Sequence, residues 1–125
     1  MPEVAGTGEG ADSRVLAVVK DLFFVARIRE TARLAHVPLT FTRTLEELRS
    51  GQPHARFVLL DLTGGFDYEG MLAAAQSAGV SVLGFTTHAL ARDTQPWHAR
   101  CERVVTKETL TQELPRLLRE GVAST

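Results

Sequence analysis

The segment "VLAVVKDLFF" (residues 15–24) runs from a short apolar stretch into the start of a helix, and the rest of the chain repeats this unit. Its first five residues are all apolar, which is typical of a parallel strand buried on both faces. From Phe24 to Ala35, apolar residues recur at helical spacing between charged ones. Lys20 and Asp21 therefore fall in the turn that follows a predicted strand. In α/β proteins this is where functional side chains usually lie.

Four further strand–helix units follow along the chain. Apolar strands are predicted at residues 38–42, 56–62, 80–87 and 103–107, and a helix is predicted after each. Thr44 and Glu47 have the spacing of a capping box at the second helix. Pro96 predicts an irregular segment or a short fourth helix, and Pro115 predicts a last helix that begins near Thr111. We therefore expect an α/β, flavodoxin-like (βα)5 fold with a doubly wound parallel five-stranded sheet in the order 2-1-3-4-5.

The composition fits one globular domain and excludes several classes of protein. The chain has 125 residues, of which 44% are hydrophobic and 23% charged, with a net charge of -1. We expect a single domain over residues 14–121, a flexible N-terminal tail at 1–13 and a C-terminal tail at 122–125. The charge gives no footprint for nucleic acid, and no apolar run approaches the ~20 residues of a membrane span. With no signal-peptide pattern and a single cysteine, Cys101, we expect a cytoplasmic protein.

Polar side chains follow four of the five predicted strands. Lys20 and Asp21 follow the first strand, Asp61 and Thr86 end the third and fourth, and Lys107 ends the fifth. Because the carboxyl ends of parallel strands meet at one edge, we expect these residues to form one polar cluster. The chain has twelve arginines but only two lysines, and both lysines fall in this cluster. A compact ammonium suits a small carboxylate pocket better than a forked guanidinium.

Four segments resemble the receiver domain of two-component response regulators. They are "AVVKDLFFVARIRE" (17–30), "FVLLDLTGG" (57–65), "GFTTHALA" (84–91) and "RVVTKE" (103–108), in the order that the family has them. The resemblance implies that Asp61 is at the phospho-acceptor position, Thr86 is the switch hydroxyl and Lys107 is the phosphate-binding lysine. Asp21 matches the second acidic residue of the metal-binding pair. Lys20 stands where the family has the first acidic residue, which reverses the charge.

This charge reversal points to a degenerate, pseudo-receiver form. Receivers hold Mg²⁺ with carboxylates, and magnesium prefers oxygen ligands in near-octahedral geometry. Lys20 and Lys107 would balance Asp21 and Asp61 without a divalent ion, so we expect no metal, unless Asp21 and Asp61 still bind Mg²⁺. We expect no other cofactor. Val104 also replaces the aromatic switch residue of the family, which would weaken coupling from Thr86 to the partner surface.

The leading hypothesis is a stand-alone pseudo-receiver: a signalling and protein-interaction module that is not an enzyme and has lost or weakened Mg²⁺-dependent phosphorylation. Its partner, or a second copy in a homodimer, is expected on the face of the fourth helix, fifth strand and fifth helix, with Trp97, Val104 and Leu110 as candidate contacts. The alternative is a functional single-domain response regulator that is phosphorylated on Asp61 in a phosphorelay and uses Mg²⁺. A flavodoxin-like cofactor binder is a third class, but the "KDLFF" turn lacks the glycines and hydroxyls that phosphate binding needs.

Overall fold

Five short parallel strands run through residues 13–120, the part of the chain that the computed structural model describes. They are β1 (Arg14–Val18), β2 (Leu39–Phe41), β3 (Ala55–Asp61), β4 (Val82–Thr86) and β5 (Arg103–Thr106). Their order in the sheet is β2-β1-β3-β4-β5, which confirms the predicted topology. Apart from Ser13, the residues predicted as tails lie outside the described residues.

Helices connect the strands and cover both faces of the sheet. They are α1 (Leu22–Ala35), α2 (Leu45–Gly51), α3 (Tyr68–Ala78), α4 (Ala91–His98) and α5 (Lys107–Glu120), with one 3-10 turn at Gln52–His54. Alternate residues of β1 enter two separate apolar clusters. Val15 and Ala17 pack with α1 and α5, while Leu16 and Val18 pack with α2 and α3. The all-apolar strand is therefore buried on both faces, as its sequence predicts.

The strand register brings the functional ends of the strands into line. Val18 pairs with Leu60, Asp61 with Phe85, and Thr86 with Thr106. The residues that follow β1 and β5 therefore lie at the same edge as the last residues of β3 and β4. This edge is the candidate site.

The starts of α1 and α2 are fixed by side-chain caps that the sequence contains. The Thr44 side chain accepts a hydrogen bond from the Glu47 amide, and the Glu47 carboxylate accepts from the Thr44 amide, so the predicted capping box is confirmed. Asp21 caps α1, since its carboxylate accepts from the amides of Phe23 and Phe24. The cap of α1 is thus one of the candidate site residues.

The predicted start of the last helix is wrong. α5 begins at Lys107 and not near Thr111, so Lys107 is a helical residue and does not end a strand. The Thr106 hydroxyl accepts from the Thr109 amide at 3.1 Å and stabilises the earlier start. Leu110, on the first turn, is fully buried and anchors the helix well before Pro115. Pro115 is exposed and sits inside the helix, where it costs one backbone hydrogen bond without ending it.

Pro96 lies inside the short helix α4. This agrees with one of the two predictions from the sequence, a short fourth helix. Thr94 is the only buried residue of α4, and its N-cap Leu90 makes no side-chain capping bond. Among residues 13–120, none of the helices is long and apolar enough to cross a membrane.

Candidate functional site

Asp61 is the buried centre of the edge. Its residue is only 4% exposed, and both carboxylate oxygens accept hydrogen bonds. Oδ1 accepts from the Thr63 amide at 2.9 Å and from the Thr63 hydroxyl at 2.7 Å, and Oδ2 accepts from the Lys20 amide at 3.3 Å. These bonds offset the cost of burying a carboxylate. These three donors are neutral groups, so within residues 13–120 no side-chain cation is hydrogen-bonded to Asp61.

Tyr68 holds the loop that follows Asp61, and the sequence reasoning missed it. Its hydroxyl donates to the Asp61 carbonyl at 2.7 Å and accepts from the amides of Gly64 and Gly65 at 2.9 and 3.0 Å. The ring is buried against Trp97, with 5.6 Å between centroids. Burial raises the pKa of the Tyr68 hydroxyl. The signal in the sequence was a lone tyrosine after a two-glycine turn, because a buried tyrosine needs a partner for its hydroxyl.

Asp21 and Lys107 form the ion pair of the edge. The Lys107 ammonium donates to Asp21 Oδ2 at 3.1 Å, and it also lies 4.8 Å from the centroid of the Phe24 ring. Asp21 Oδ1 is occupied by the cap of α1. The hydrogen bond from Lys107, and then the two backbone amides, lower the pKa of the Asp21 carboxyl. The lysine expected to hold phosphate on Asp61 is thus bound to the other aspartate.

Lys20 is exposed, and within residues 13–120 its ammonium makes no hydrogen bond or ion pair. The sequence left open whether Lys20 contacts Asp61 or points to solvent, and in the structure its ammonium contacts neither Asp61 nor Asp21. The contact that does exist comes from the Lys20 backbone amide. The side chain leaves the turn beside the Asp61 loop, since a Cβ on Gly64 would lie 3.2 Å from the Lys20 Cβ. The Lys20 side chain therefore lies on the solvent side of this sheet edge, outside the polar cluster around Asp61.

Thr86 is bound from the α4 side. It is 3% exposed, and the Thr94 hydroxyl lies 3.0 Å from its own hydroxyl. The same Thr94 hydroxyl is 2.7 Å from His98 Nε2. The sequence carried no signal for Thr94, because its role depends on how α4 packs over β4. Thr86 thus connects the edge to α4 through a buried chain of polar groups.

The residues at this edge are a poor match for the magnesium site that the resemblance implies. Asp21 and Asp61 are its two carboxylates, and each oxygen already accepts at least one hydrogen bond. Lys20 occupies the position where the resembling family has the first acidic residue of its metal-binding pair. Across residues 13–120, no group of three His, Cys, Asp or Glu side chains is placed to hold a metal ion. Mg²⁺ requires near-octahedral oxygen ligation, which two committed carboxylates supply poorly.

The expected interaction face needs one correction. Leu110 is fully buried in the core formed with α1 and the sheet, so it cannot contact a partner. The sequence could not show this while α5 was expected to begin near Thr111. Trp97 and Val104 are half-buried and pack against the cluster on the opposite side of the sheet. Both therefore leave only part of their surface for a partner.

The fold is shared with solved receiver domains, although the sequence itself matches no protein-family model and no curated protein. A response regulator receiver domain protein from Clostridium thermocellum superposes with a TM-score of 0.68 at 11% identity, covering 89% of this chain and 94% of that one. The chemotaxis response regulator CheY4 of Vibrio cholerae gives 0.63 at 23% identity, covering 85% and 98%. A de novo designed protein with a Rossmann 2x3 fold gives 0.62 at 13% identity, covering 86% and 90%. The chain therefore has the fold of response regulator receiver domains, a fold that a designed protein also adopts.

Proposed function

We propose that the chain is a pseudo-receiver: a non-enzymatic signalling module that acts through protein–protein contact and in which Mg²⁺-dependent phosphorylation of Asp61 is lost or weakened. The observation that carries this proposal is the Lys107–Asp21 ion pair at 3.1 Å. In this ion pair, Lys107 binds Asp21, which matches the second acidic residue of the metal-binding pair in the resembling family. Among the residues that the structure describes, the hydrogen-bond donors to Asp61 are all neutral.

Charge explains why this arrangement opposes phosphorylation. A phosphoryl group on Asp61 would add negative charge at a buried position, and phosphoryl transfer depends on cations to neutralise it. Lys107 is paired with Asp21, which is also the cap of α1, and within residues 13–120 it makes no hydrogen bond to Asp61. Lys20 adds a positive charge at the mouth of the edge, where it disfavours the approach of a divalent cation.

Access to Asp61 supports the same proposal. The residue is 4% exposed, and Oδ1 is covered by two bonds from Thr63. A phosphodonor would have to reach Oδ2 beside the Lys20 amide. The edge is therefore better suited to a fixed structural role than to repeated transfer of a phosphoryl group.

A magnesium titration tests the role of residue 20. Trp97 fluorescence reports the site, because Trp97 packs on the tyrosine that holds the Asp61 loop. We expect no saturable response from the parent chain, and saturable binding in the millimolar range from Lys20→Asp. Lys20→Met is the matched control, since it removes the positive charge without supplying an oxygen ligand. If Lys20→Asp binds Mg²⁺ no better than the parent chain, the substitution account is wrong.

Phosphorylation is tested directly with acetyl phosphate and Mg²⁺, with intact-mass spectrometry as the readout. We expect the parent chain to keep its mass. A phosphoryl adduct on the parent that disappears in Asp61→Asn would overturn the proposal and establish the alternative, a functional response regulator in a phosphorelay.

A further inference from the structure

The largest exposed apolar side chains of the described residues gather on α1. Phe23 is 90% exposed, Leu22 71% and Leu34 64%, whereas the one other large apolar side chain of this kind is Leu90, at 39%, before α4. A single exposed leucine is ordinary, but several on one helix indicate a surface that contacts another molecule. Exposed apolar surface among the described residues is therefore concentrated on α1 more than on the face of α4, β5 and α5.

Four residues of α1 form a single outward row, which we call the α1 stripe: Phe23, Arg27, Glu30 and Leu34. They are four, three and four positions apart, so they lie on the same side of the helix. Phe23, Arg27 and Glu30 also border an open groove between α1 and the start of α5. The opposite side of α1 is buried in the core.

The two central residues of the α1 stripe, Arg27 and Glu30, carry opposite charges, and both can form further hydrogen bonds. Within residues 13–120, the Arg27 guanidinium makes no hydrogen bond or ion pair. Glu30 pairs with Arg33 on its own helix at 2.6 Å, and both side chains are largely exposed. A carboxylate can accept about four hydrogen bonds, so Glu30 can take a second arginine without releasing Arg33.

Along the α1 stripe the side chains are, in order, apolar, basic, acidic and apolar. Two copies of the stripe that run in opposite directions therefore place apolar against apolar and basic against acidic side chains. We propose that the α1 stripe binds a second copy of the chain in a two-fold symmetric, antiparallel helix pair. Phe23 then lies against the partner's Leu34, and Arg27 against the partner's Glu30. Arg27 is four residues from one end of the stripe and Glu30 four from the other, so both contacts form in one register. By symmetry each contact occurs twice.

This inference names the partner of the proposed interaction module, but it does not depend on whether Asp61 accepts a phosphoryl group. Its readout is oligomeric state, and the readout for the proposed function is mass and magnesium binding. Failure of one is therefore distinguishable from failure of the other. A single helix pair is a small contact, and we expect a dimer that dissociates on dilution.

Paired charge reversals test the register by sedimentation equilibrium of the full chain. Arg27→Glu places acid against acid at both contacts, and Glu30→Arg places base against base, so each variant alone should weaken the dimer at least tenfold. Mixed in equal amounts, the two variants should form a heterodimer, because every contact then joins opposite charges. The double variant Arg27→Glu with Glu30→Arg should regain a homodimer. All four positions on the stripe are exposed, so each variant should fold, and circular dichroism checks that it does.

The apolar ends and the competing face are tested in the same way. Phe23→Ser should abolish the dimer, whereas Arg92→Glu, a matched charge reversal on α4, should leave it unchanged. A parent chain that stays monomeric at high concentration would overturn the proposal and leave the stripe to a different protein. Variants that fail to form a heterodimer would overturn it too, as would a dimer lost in Arg92→Glu but kept in Phe23→Ser.

Discussion

The two halves of the candidate site are held in opposite ways. In the β3 half (Asp61, Thr63 and Tyr68), a buried aspartate and its loop are fixed by short bonds to backbone amides and hydroxyls. In the β1 half (Lys20, Asp21 and Phe23), the residues are exposed, and Asp21 is held by a cap and one ion pair. Residue 20 can therefore change sign without disturbing the core. The chemistry of the edge can be altered from its exposed half while the fold stays intact.

The largest effect is expected at Cys101, which packs in the same apolar cluster as Tyr68 and so reports how well the layer under the β3 half is closed. Burial raises the pKa of its thiol from 9.0 to about 11. At pH 8 the thiolate fraction should therefore be about 100-fold lower in the folded chain than in urea. Ultraviolet absorbance of the thiolate, with Cys101→Ala as the blank, measures this fraction.

The same shift sets the sign of a stability effect. Because the pKa of the Cys101 thiol is raised in the folded chain, burial of the neutral thiol contributes fully to folding stability below pH 9.0. This stability is lost as the pH rises towards about 11. An equal thiolate fraction in folded and unfolded chains would show that this layer is open to water.

An intermediate effect is expected from Tyr68→Phe, which removes the hydroxyl that joins three backbone groups of the β3 half. Leaving these groups without a partner should lower the free energy of unfolding by about 2 kcal/mol, roughly a 30-fold change in the folding equilibrium. Urea denaturation measures it, with Ser50→Ala as a control for loss of an exposed hydroxyl. A loss below about 0.5 kcal/mol would mean that water replaces the hydroxyl, and that the β3 half is no better fixed than the β1 half.

The smallest effect is expected in the β1 half, from Asp21→Asn. Asparagine can still accept from the amides of α1, so the variant removes only the charge that Lys107 contacts. Because the pKa of the Asp21 carboxyl is lowered in the folded chain, its charge contributes to folding stability above the ordinary value of 3.8. This stability is lost as the pH falls through the lower folded-state value. Thermal midpoints should be slightly lower for Asp21→Asn at neutral pH and converge with the parent in acid. Lys107→Gln should behave alike, and a gap that persists in strong acid would rule out the ion pair as the cause.

The sequence predicted the sheet because apolar runs and turn residues are local signals that repeat along the chain. It also indicated that Lys20, Asp21, Asp61, Thr86 and Lys107 meet at one edge, since parallel strands align their carboxyl ends. It could not predict which aspartate Lys107 would contact, because that depends on the paths of two loops. Thr94 could not be predicted because its role depends on how α4 packs over β4, whereas Tyr68 left a signal as a lone tyrosine after two glycines. The predicted start of α5 near Thr111 is wrong because burial of Leu110 stabilises an earlier start, and the position of Pro115 does not show this.

α4 has a further consequence for the order in which the molecule opens. Pro96 removes one backbone bond within an eight-residue helix, and the only residue that this helix buries is the polar Thr94. Apart from the half-buried Trp97, α4 makes few buried apolar contacts, which implies a low free energy of local opening. Amide hydrogens of α4 should therefore exchange with solvent well before those of β1 and β3, whose residues are almost entirely buried. Opening of α4 would also break the hydrogen bond from Thr94 to the Thr86 hydroxyl, so conditions that speed exchange at α4 should also loosen Thr86.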